Sequence, residues 1–343
     1  MIMDRTIICG LSEDEISTLL EPYGFTRAHS HEIAVNLYKR KFIDFSDFTG
    51  IPERLREHLK IHFSTGLFSF RESHLSEDKS VKYLFRTDDG KEFETVYIPD
   101  GKRHTLCVST QSGCRMGCSF CVSGSYGFHG NLMASEILNQ LLSIPQSGLI
   151  THVVFMGMGE PMDNMVNLFR SCMALTSQWG FAISPRNITV STVGIKEAVE
   201  EFIEKSDCNL TLSLHSPFKE ERRSFIPAEN RSGFEEIVTV FKNAKLRKGR
   251  RLSVAYVMID GINDTEDHLR ALKSLFRNTL IRVNLLPYHS VNNDTMASSP
   301  HQRIQYFKHN LVVEGISASI RKSRGQDIAA ACGLLAAGLD KKS

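Results

Sequence analysis

No apolar run in this chain approaches the ~20 residues that a membrane-spanning helix needs. The first residues also lack the apolar stretch of a secretory signal, so the expectation is a cytoplasmic protein with no membrane partner. An excess of either charge is missing too. Lys and Arg number 41 against 39 Asp and Glu, a formal net charge of +2. That balance neither demands nor excludes a nucleic-acid partner, because a local basic face is enough to meet phosphates. Disulfides are not expected in a reducing compartment, so the eight cysteines (9, 107, 114, 118, 121, 172, 208 and 332) are read as thiols, metal ligands or catalytic groups. A fourth close-set cysteine is absent as well. Nothing near 114–121 repeats the half-site spacing of a zinc module, which argues against a structural zinc site with its four protein ligands.

What is present begins with Gly113-Cys114-Arg115-Met116-Gly117-Cys118-Ser119-Phe120-Cys121. Its Cys-x3-Cys-x2-Cys spacing puts three soft ligands in one glycine-containing loop, as iron–sulfur clusters or zinc require. Three cysteines on a [4Fe-4S] cubane leave one iron open, and this spacing resembles that of radical S-adenosylmethionine (SAM) enzymes. The less specific alternative is a zinc knuckle completed by a distant His or Cys.

Composition predicts an ordinary globular chain, 41% hydrophobic and 23% charged. Residues 1–70 read as a small helical domain. Ser12 with Glu15 fits a capping box, and Pro52 suits the first turn of a later helix. Lys39, Arg40, Lys41, Arg54 and Arg56 give weak support to a platform for a large substrate. Residues 71–103 alternate around Asp88-Asp89-Gly90, a hairpin signal. Glu94 begins the second strand, where on its own it reads as a solvated residue.

From residue 104 to 335 short β-branched runs alternate with helical patterns. The runs fall at 105–110, 153–156, 188–192, 210–214, 252–259, 281–286 and 316–320. Such alternation predicts an α/β fold with a parallel sheet and right-handed crossovers, here a partial (β/α)6 barrel, with an open doubly wound sheet as the other solution. Residues 336–343 form a tail. In either fold, chemistry belongs at the carboxyl ends of the strands. The triad follows the first run, and Gly157-Met158-Gly159-Glu160-Pro161 follows the second. Ser191, Ser213 with His215, and Asn284 close later runs. A carboxylate in a glycine turn suits a ligand's ammonium group, although an ordinary capping Glu is the plainer reading. Several polar residues at neighbouring strand ends suggest a shared pocket. Cys107 precedes the cluster loop and Cys332 lies in Asp327-Ile328-Ala329-Ala330-Ala331-Cys332-Gly333. Cys9, Cys172 and Cys208 carry no motif and read as small buried hydrophobes. The basic run Lys245-Leu246-Arg247-Lys248-Gly249-Arg250-Arg251 most simply covers a helix end.

Together these motifs resemble the RlmN/Cfr family of radical SAM RNA methyltransferases over nearly the whole chain. The resemblance implies that Cys114, Cys118 and Cys121 hold a [4Fe-4S] cluster. It implies that Gly159, Glu160, Ser191, Ser213, Leu214, His215 and Asn284 line the SAM site. Cys332 would carry the methyl group, Cys107 would form a transient disulfide with it, and Glu94 would accept a proton. The N-terminal helices would recognise RNA, namely 23S rRNA with tRNA as a further candidate, and a flavodoxin would supply electrons. The expected reaction is methylation of an adenosine ring carbon. Pro161 resembles the branch that acts at C2, whereas Ser216 resembles the C8 branch tied to antibiotic resistance; C2 is favoured. A non-catalytic iron–sulfur sensor or RNA-binding module, and a radical enzyme that only abstracts hydrogen, are the competing readings. Ser123, the loop Pro227-Ala228-Glu229-Asn230-Arg231 and residues 290–299 depart from the family pattern.

Overall fold

The computed structural model describes residues 5–290, 296–336 and 339. Of the departing segment 290–299, residues 291–295 lie outside the described residues, as does most of the expected tail.

Ten strands form one sheet: β1 (Glu72–Leu75), β2 (Val81–Arg86), β3 (Glu92–Asp100), β4 (Arg103–Val108), β5 (His152–Phe155), β6 (Ile188–Thr192), β7 (Asn209–Ser213), β8 (Leu252–Met258), β9 (Arg282–Pro287) and β10 (Ala318–Ile320). Their order across the sheet is the order of the chain. β1 to β4 pair antiparallel as a meander. From β4 to β10 every pairing is parallel. The parallel strands coincide with the seven runs expected from the sequence, and the sheet stays open at β1 and β10. β1 is an addition: all four of its residues are exposed, so it has no apolar face to betray it.

Helices α1 (Glu13–Leu20), α2 (Arg27–Ala34) and α3 (Glu53–His62) make up the N-terminal region, with a two-stranded parallel bridge between Thr6–Ile7 and Phe63–Ser64. The Ser12–Glu15 capping box is formed in both directions: the Glu15 N–H donates to Ser12 Oγ at 3.1 Å, and the Ser12 N–H to Glu15 Oε2 at 2.8 Å. Pro52 is the N-cap of α3. Ile16, Leu20, Ile33, Leu37, Leu55 and Leu59 are buried and join the same apolar core as the sheet.

A short helix α4 (Val122–Tyr126) follows the cysteine loop. Crossovers are then supplied by α5 (Ala134–Leu142), α6 (Met165–Thr176), α7 (Lys196–Lys205), α8 (Lys219–Phe225), α9 (Phe234–Asn243), α10 (Glu266–Phe276) and α11 (His301–Val313). Val190, Leu210, Leu212, Val254, Val283 and Leu285 share one face of the sheet and are wholly buried; the alternate positions Ser191, Thr211, Ser213, Ala255 and Asn284 line a cavity on the other face. The basic run does cover a helix end, but that of a neighbour. Arg250 donates to the carbonyls of Phe202 and Ile203 in the last turn of α7, where a cation offsets the dipole, and to that of Cys208 just before β7. Among the described residues no helix is long and apolar enough to cross a membrane.

Candidate active site

At the carboxyl ends of the parallel strands a cavity of about 210 Å³ opens. Cys114, Cys118, Cys121, Cys107 and Cys332 all line it, together with Gly159, Glu160, Ser191, Ser213, His215 and Asn284. Parallel strands end on one side of a sheet, so residues separated by more than two hundred positions, Cys107 and Cys332 among them, converge there. A second groove of about 670 Å³ between α7 and α9 shares no residue with this cavity. Two ion pairs, Lys196–Glu236 and Arg247–Asp207, lie along it.

The cysteine loop is fastened on both sides. The Cys114 N–H donates to the Gly127 carbonyl at 2.9 Å, and the Ser119 N–H to the Phe225 carbonyl at 3.0 Å. Arg115 pairs with Asp163 at 2.7 Å and lies 3.9 Å over the ring of Phe128. Burial pushes the Cys114 thiol up to about 12, and lifts Cys118 well above its ordinary value with help from Cys121 and Cys114. As bare thiols these groups stay protonated; bound to a cationic iron they would ionise. Among the described residues no three His, Cys, Asp or Glu side chains converge on one point closely enough to hold a single ion. A cubane is wider than an ion and its cysteine ligands stand apart around it, so three sulfur donors on one apolar wall with Met116 and Phe120 fit a [4Fe-4S] cluster better than zinc.

Next to the triad the Gly159 turn brings in a carboxylate. Gly159 has φ +97°, and a Cβ there would come within 2.5 Å of the Gln111 side chain and 2.8 Å of its backbone nitrogen. Only glycine lets the two segments approach so closely. Glu160 accepts from Met162 N–H at 3.0 Å and from Val193 N–H at 2.9 Å. Burial raises its carboxyl to about 7 against the opposing bonds from Thr192, Val193 and Met162. A fixed, desolvated carboxyl of this kind favours a bound cation as partner.

The other strand ends carry neutral groups. Ser191 and Ser213 place their hydroxyls 3.4 Å apart. Asn284 accepts from the Ser319 hydroxyl at 2.8 Å, which leaves its amide NH2 to donate. His215 has φ +57°; its Nδ1 accepts from the Val257 N–H at 3.0 Å, and Phe120 packs edge-on against its ring at 4.7 Å. Burial, reinforced by the Arg222 cation, lowers its pKa to about 3, so it is a neutral imidazole with the proton on Nε2. Leu214 is buried and does not line the cavity; its backbone bonds to Ala255 and Arg222.

Cys107 on β4 and Cys332 on the C-terminal segment are free thiols on the cavity wall, and a charge on Cys332 is felt at Cys107. Burial pushes Cys107 up to about 12, and burial also raises Cys332. Cys332 remains accessible by way of the cavity. Its segment is clipped to distant parts of the chain. Ser76 donates to Asp327 at 2.6 Å, the Gly325 N–H to Asp78 at 2.9 Å, and the Val122 N–H to the Gly333 carbonyl at 2.8 Å.

Glu94 is buried rather than solvated, and it does not line the cavity. Its Oε1 pairs with Lys82 at 3.0 Å and its Oε2 accepts from the Ala336 N–H at 2.8 Å. Lys82 stands opposite Val96 in the register and Glu94 two residues along, so the pair is a same-face diagonal across β2 and β3. The cavity also has residues that the sequence did not single out. Arg321 lines it, and Arg222 lies wholly buried behind it. Lys219-Glu220-Glu221-Arg222-Arg223 reads as a solvated helix face, which hid the second. Cys172 and Cys208 are buried, as expected, and are hydrogen-bonded to each other.

An open parallel sheet with three loop thiols, a carboxylate turn and polar strand ends around one cavity defines the radical SAM class of enzymes. A family model described as the radical SAM superfamily matches residues 108–273. A protein of Phocaeicola vulgatus named "Probable dual-specificity RNA methyltransferase RlmN" is 39% identical over 338 residues, 98% of this chain and 97% of its own. A "Dual-specificity RNA methyltransferase RlmN" of Halorhodospira halophila is 35% identical over 96% of this chain and 92% of its own. Among solved structures, a radical SAM methyltransferase from Sphaerobacter thermophilus superposes with a TM-score of 0.91 at 32% identity, covering 97% of this chain and 99% of that one. The chain belongs to the RlmN family of RNA methyltransferases, and it is a SAM-dependent enzyme that works with a [4Fe-4S] cluster.

Proposed function

We propose that this enzyme methylates C2 of an adenosine in 23S rRNA, and in tRNA, by way of a methylated Cys332. The dual-specificity names of the relatives support two RNA classes. The observation that carries the cysteine chemistry is the meeting of Cys332, Cys107 and the triad on one cavity wall. Cys114, Cys118 and Cys121 would hold the cluster, which when bound supplies the electron that splits the SAM sulfonium and so generates a carbon radical. Glu160 would take the ammonium group of SAM, Ser191, Ser213 and Asn284 would bond its polar edges, and Gly159 would admit it closely.

Aromatic ring carbons such as C2 are poor nucleophiles, so the methyl group must pass through a better one. The Cys332 thiolate is that group: it attacks the methyl carbon of one SAM, forming an S–C bond as the CH3–S+ bond breaks and the neutral thioether S-adenosylhomocysteine leaves. Hydrogen abstraction from that methyl lets its carbon join the adenine ring, which links protein to RNA. Glu94 would accept the ring proton. Both of its oxygens are engaged, so this role requires the Ala336 segment to give up its hydrogen bond. The Cys107 thiolate then attacks Cys332 sulfur and breaks its bond to the methylene carbon, which takes up a proton to become the product methyl; the odd electron left by radical addition would return to the electron-supplying chain, and the disulfide that remains is reduced by external thiols. The N-terminal helices would bind RNA, a flavodoxin would donate electrons, and the setting would be cytoplasmic.

Nucleoside mass spectrometry of unmodified 23S rRNA and tRNA, treated with reconstituted enzyme, SAM and reductant, tests the target. 2-Methyladenosine is expected; 8-methyladenosine would move the reaction to the other carbon. C107A is expected to accumulate a Cys332–RNA crosslink. Turnover of that variant without a crosslink would sink the cysteine route.

A further inference from the structure

A buried charge needs a reason. Arg222 on α8 and Glu229, just after it, are both wholly buried and paired through Arg222 Nη1. The rest of the guanidinium is spent on main-chain oxygens. Its Nε donates to the Leu214 carbonyl at 3.0 Å, and Nη2 donates to Ser213 at 2.9 Å and to Val193 at 2.6 Å. Those carbonyls sit where β6 and β7 run out, and Val193 and Ser213 line the cavity. Val193 is bound at both ends: its N–H holds Glu160 and its carbonyl meets Arg222. Glu229 in turn accepts from the Phe234 N–H that begins α9, at 3.1 and 3.2 Å. One planar cation therefore ties two adjacent strand ends to the start of a helix, directly behind the groups facing the cofactor.

A pair meant only for stability would be an odd choice, because apolar residues of the same volume do as well or better. A rigid fork that meets three carbonyls at fixed angles has a different use. Lysine, with a single point charge on a flexible stem, cannot reproduce it. We infer that Arg222 and Glu229 are positioning residues that set the ends of β6 and β7 for SAM, and that SAM affinity depends on the shape of the guanidinium's grip rather than on its charge. The inference rests on the reading of this cavity as the SAM site.

The test uses the full chain with its cluster reconstituted anaerobically and measures iron content, thermal midpoint, SAM dissociation constant by equilibrium dialysis, and KM and kcat for SAM cleavage. R222K keeps the charge and loses the fork. R222M/E229L removes both charges and restores an apolar interior. Each is expected to hold its cluster and to weaken SAM by about tenfold or more, the scale of a lost charge-assisted hydrogen bond, with KM moving more than kcat. E229D keeps both charges, shortens the anchor by one methylene, and is the mildest probe should the others fold poorly; a raised KM at constant kcat is expected. Wild-type SAM affinity in a folded variant with a full cluster would overturn the inference. Wild-type enzyme that binds and cleaves SAM yet leaves RNA unmethylated would instead overturn the proposed substrate, and the clamp would still be judged on SAM affinity.

Discussion

Gly159→Ala isolates how tightly the carboxylate turn is built. Two terms act. The backbone term comes from φ +97°, a region that costs an L-residue about 1–2 kcal/mol. The packing term comes from a methyl 2.5 Å from the Gln111 side chain and 2.8 Å from its nitrogen, well inside carbon contact distance; overpacking of this kind costs about 1–3 kcal/mol. Gly90 separates the two. It has φ +87° with nothing within 4 Å of its virtual Cβ, so G90A carries the backbone term alone. G159A should therefore lose about 1–3 kcal/mol more than G90A, from urea midpoints at a shared slope. The displacement should also travel. Gln111 accepts from the Glu160 N–H at 2.9 Å and donates to Asp163 at 2.8 Å, and Asp163 pairs with Arg115 of the cysteine loop. SAM binding should weaken in G159A and stay intact in G90A. Equal stability losses in the two variants, with SAM affinity unchanged in both, would refute the reasoning.

The Lys82–Glu94 pair has side chains only 7% and 4% exposed. K82M strands a buried carboxylate and should cost about 3–5 kcal/mol, whereas K82M/E94L should recover most of it. A double-mutant cycle with coupling below about 0.5 kcal/mol would refute that account. His215 gives a pH test. Its folded pKa of about 3 lies below the ordinary 6.5, so the unfolded chain takes up the extra proton. Its contribution is complete above 6.5 and is lost as pH falls towards 3. H215Q, which can still accept from Val257, should show a shallower fall in urea midpoint over that window; identical slopes would count against a buried neutral imidazole.

The alternation of β-branched runs and helical patterns was enough to read the parallel strands, because the face each strand turns to the helices must be apolar, while the other face carries the polar residues that line the cavity. The cysteine loop stood out because close-set soft ligands have few other uses, whereas the Gly159 turn reads alone as an ordinary capped turn and stood out only beside the triad. What stayed hidden depends on pairing across distance. Glu94 reads as solvated until the register sets Lys82 diagonally opposite it. Arg222 sits in a charged run of surface composition, and only the fold turns it inward against three carbonyls. β1 has no pattern because neither of its faces is covered. Cys172 and Cys208 each looked like a lone hydrophobe, and their contact comes from packing α6 against the strand that follows Cys208.

Because the strands lie side by side in the order they occur along the chain, the sheet can lengthen by one edge at a time as residues emerge during synthesis. Every new strand docks on the one just completed, so no addition waits for a segment made much later. The exception comes last. Asp327, Gly325 and Ala336 reach back across 251, 247 and 242 positions to Ser76, Asp78 and Glu94. A nascent chain can therefore complete the cofactor side of the cavity while Cys332 is still inside the exit tunnel. The thiol proposed to carry the methyl group arrives after the strand ends that line the rest of the cavity.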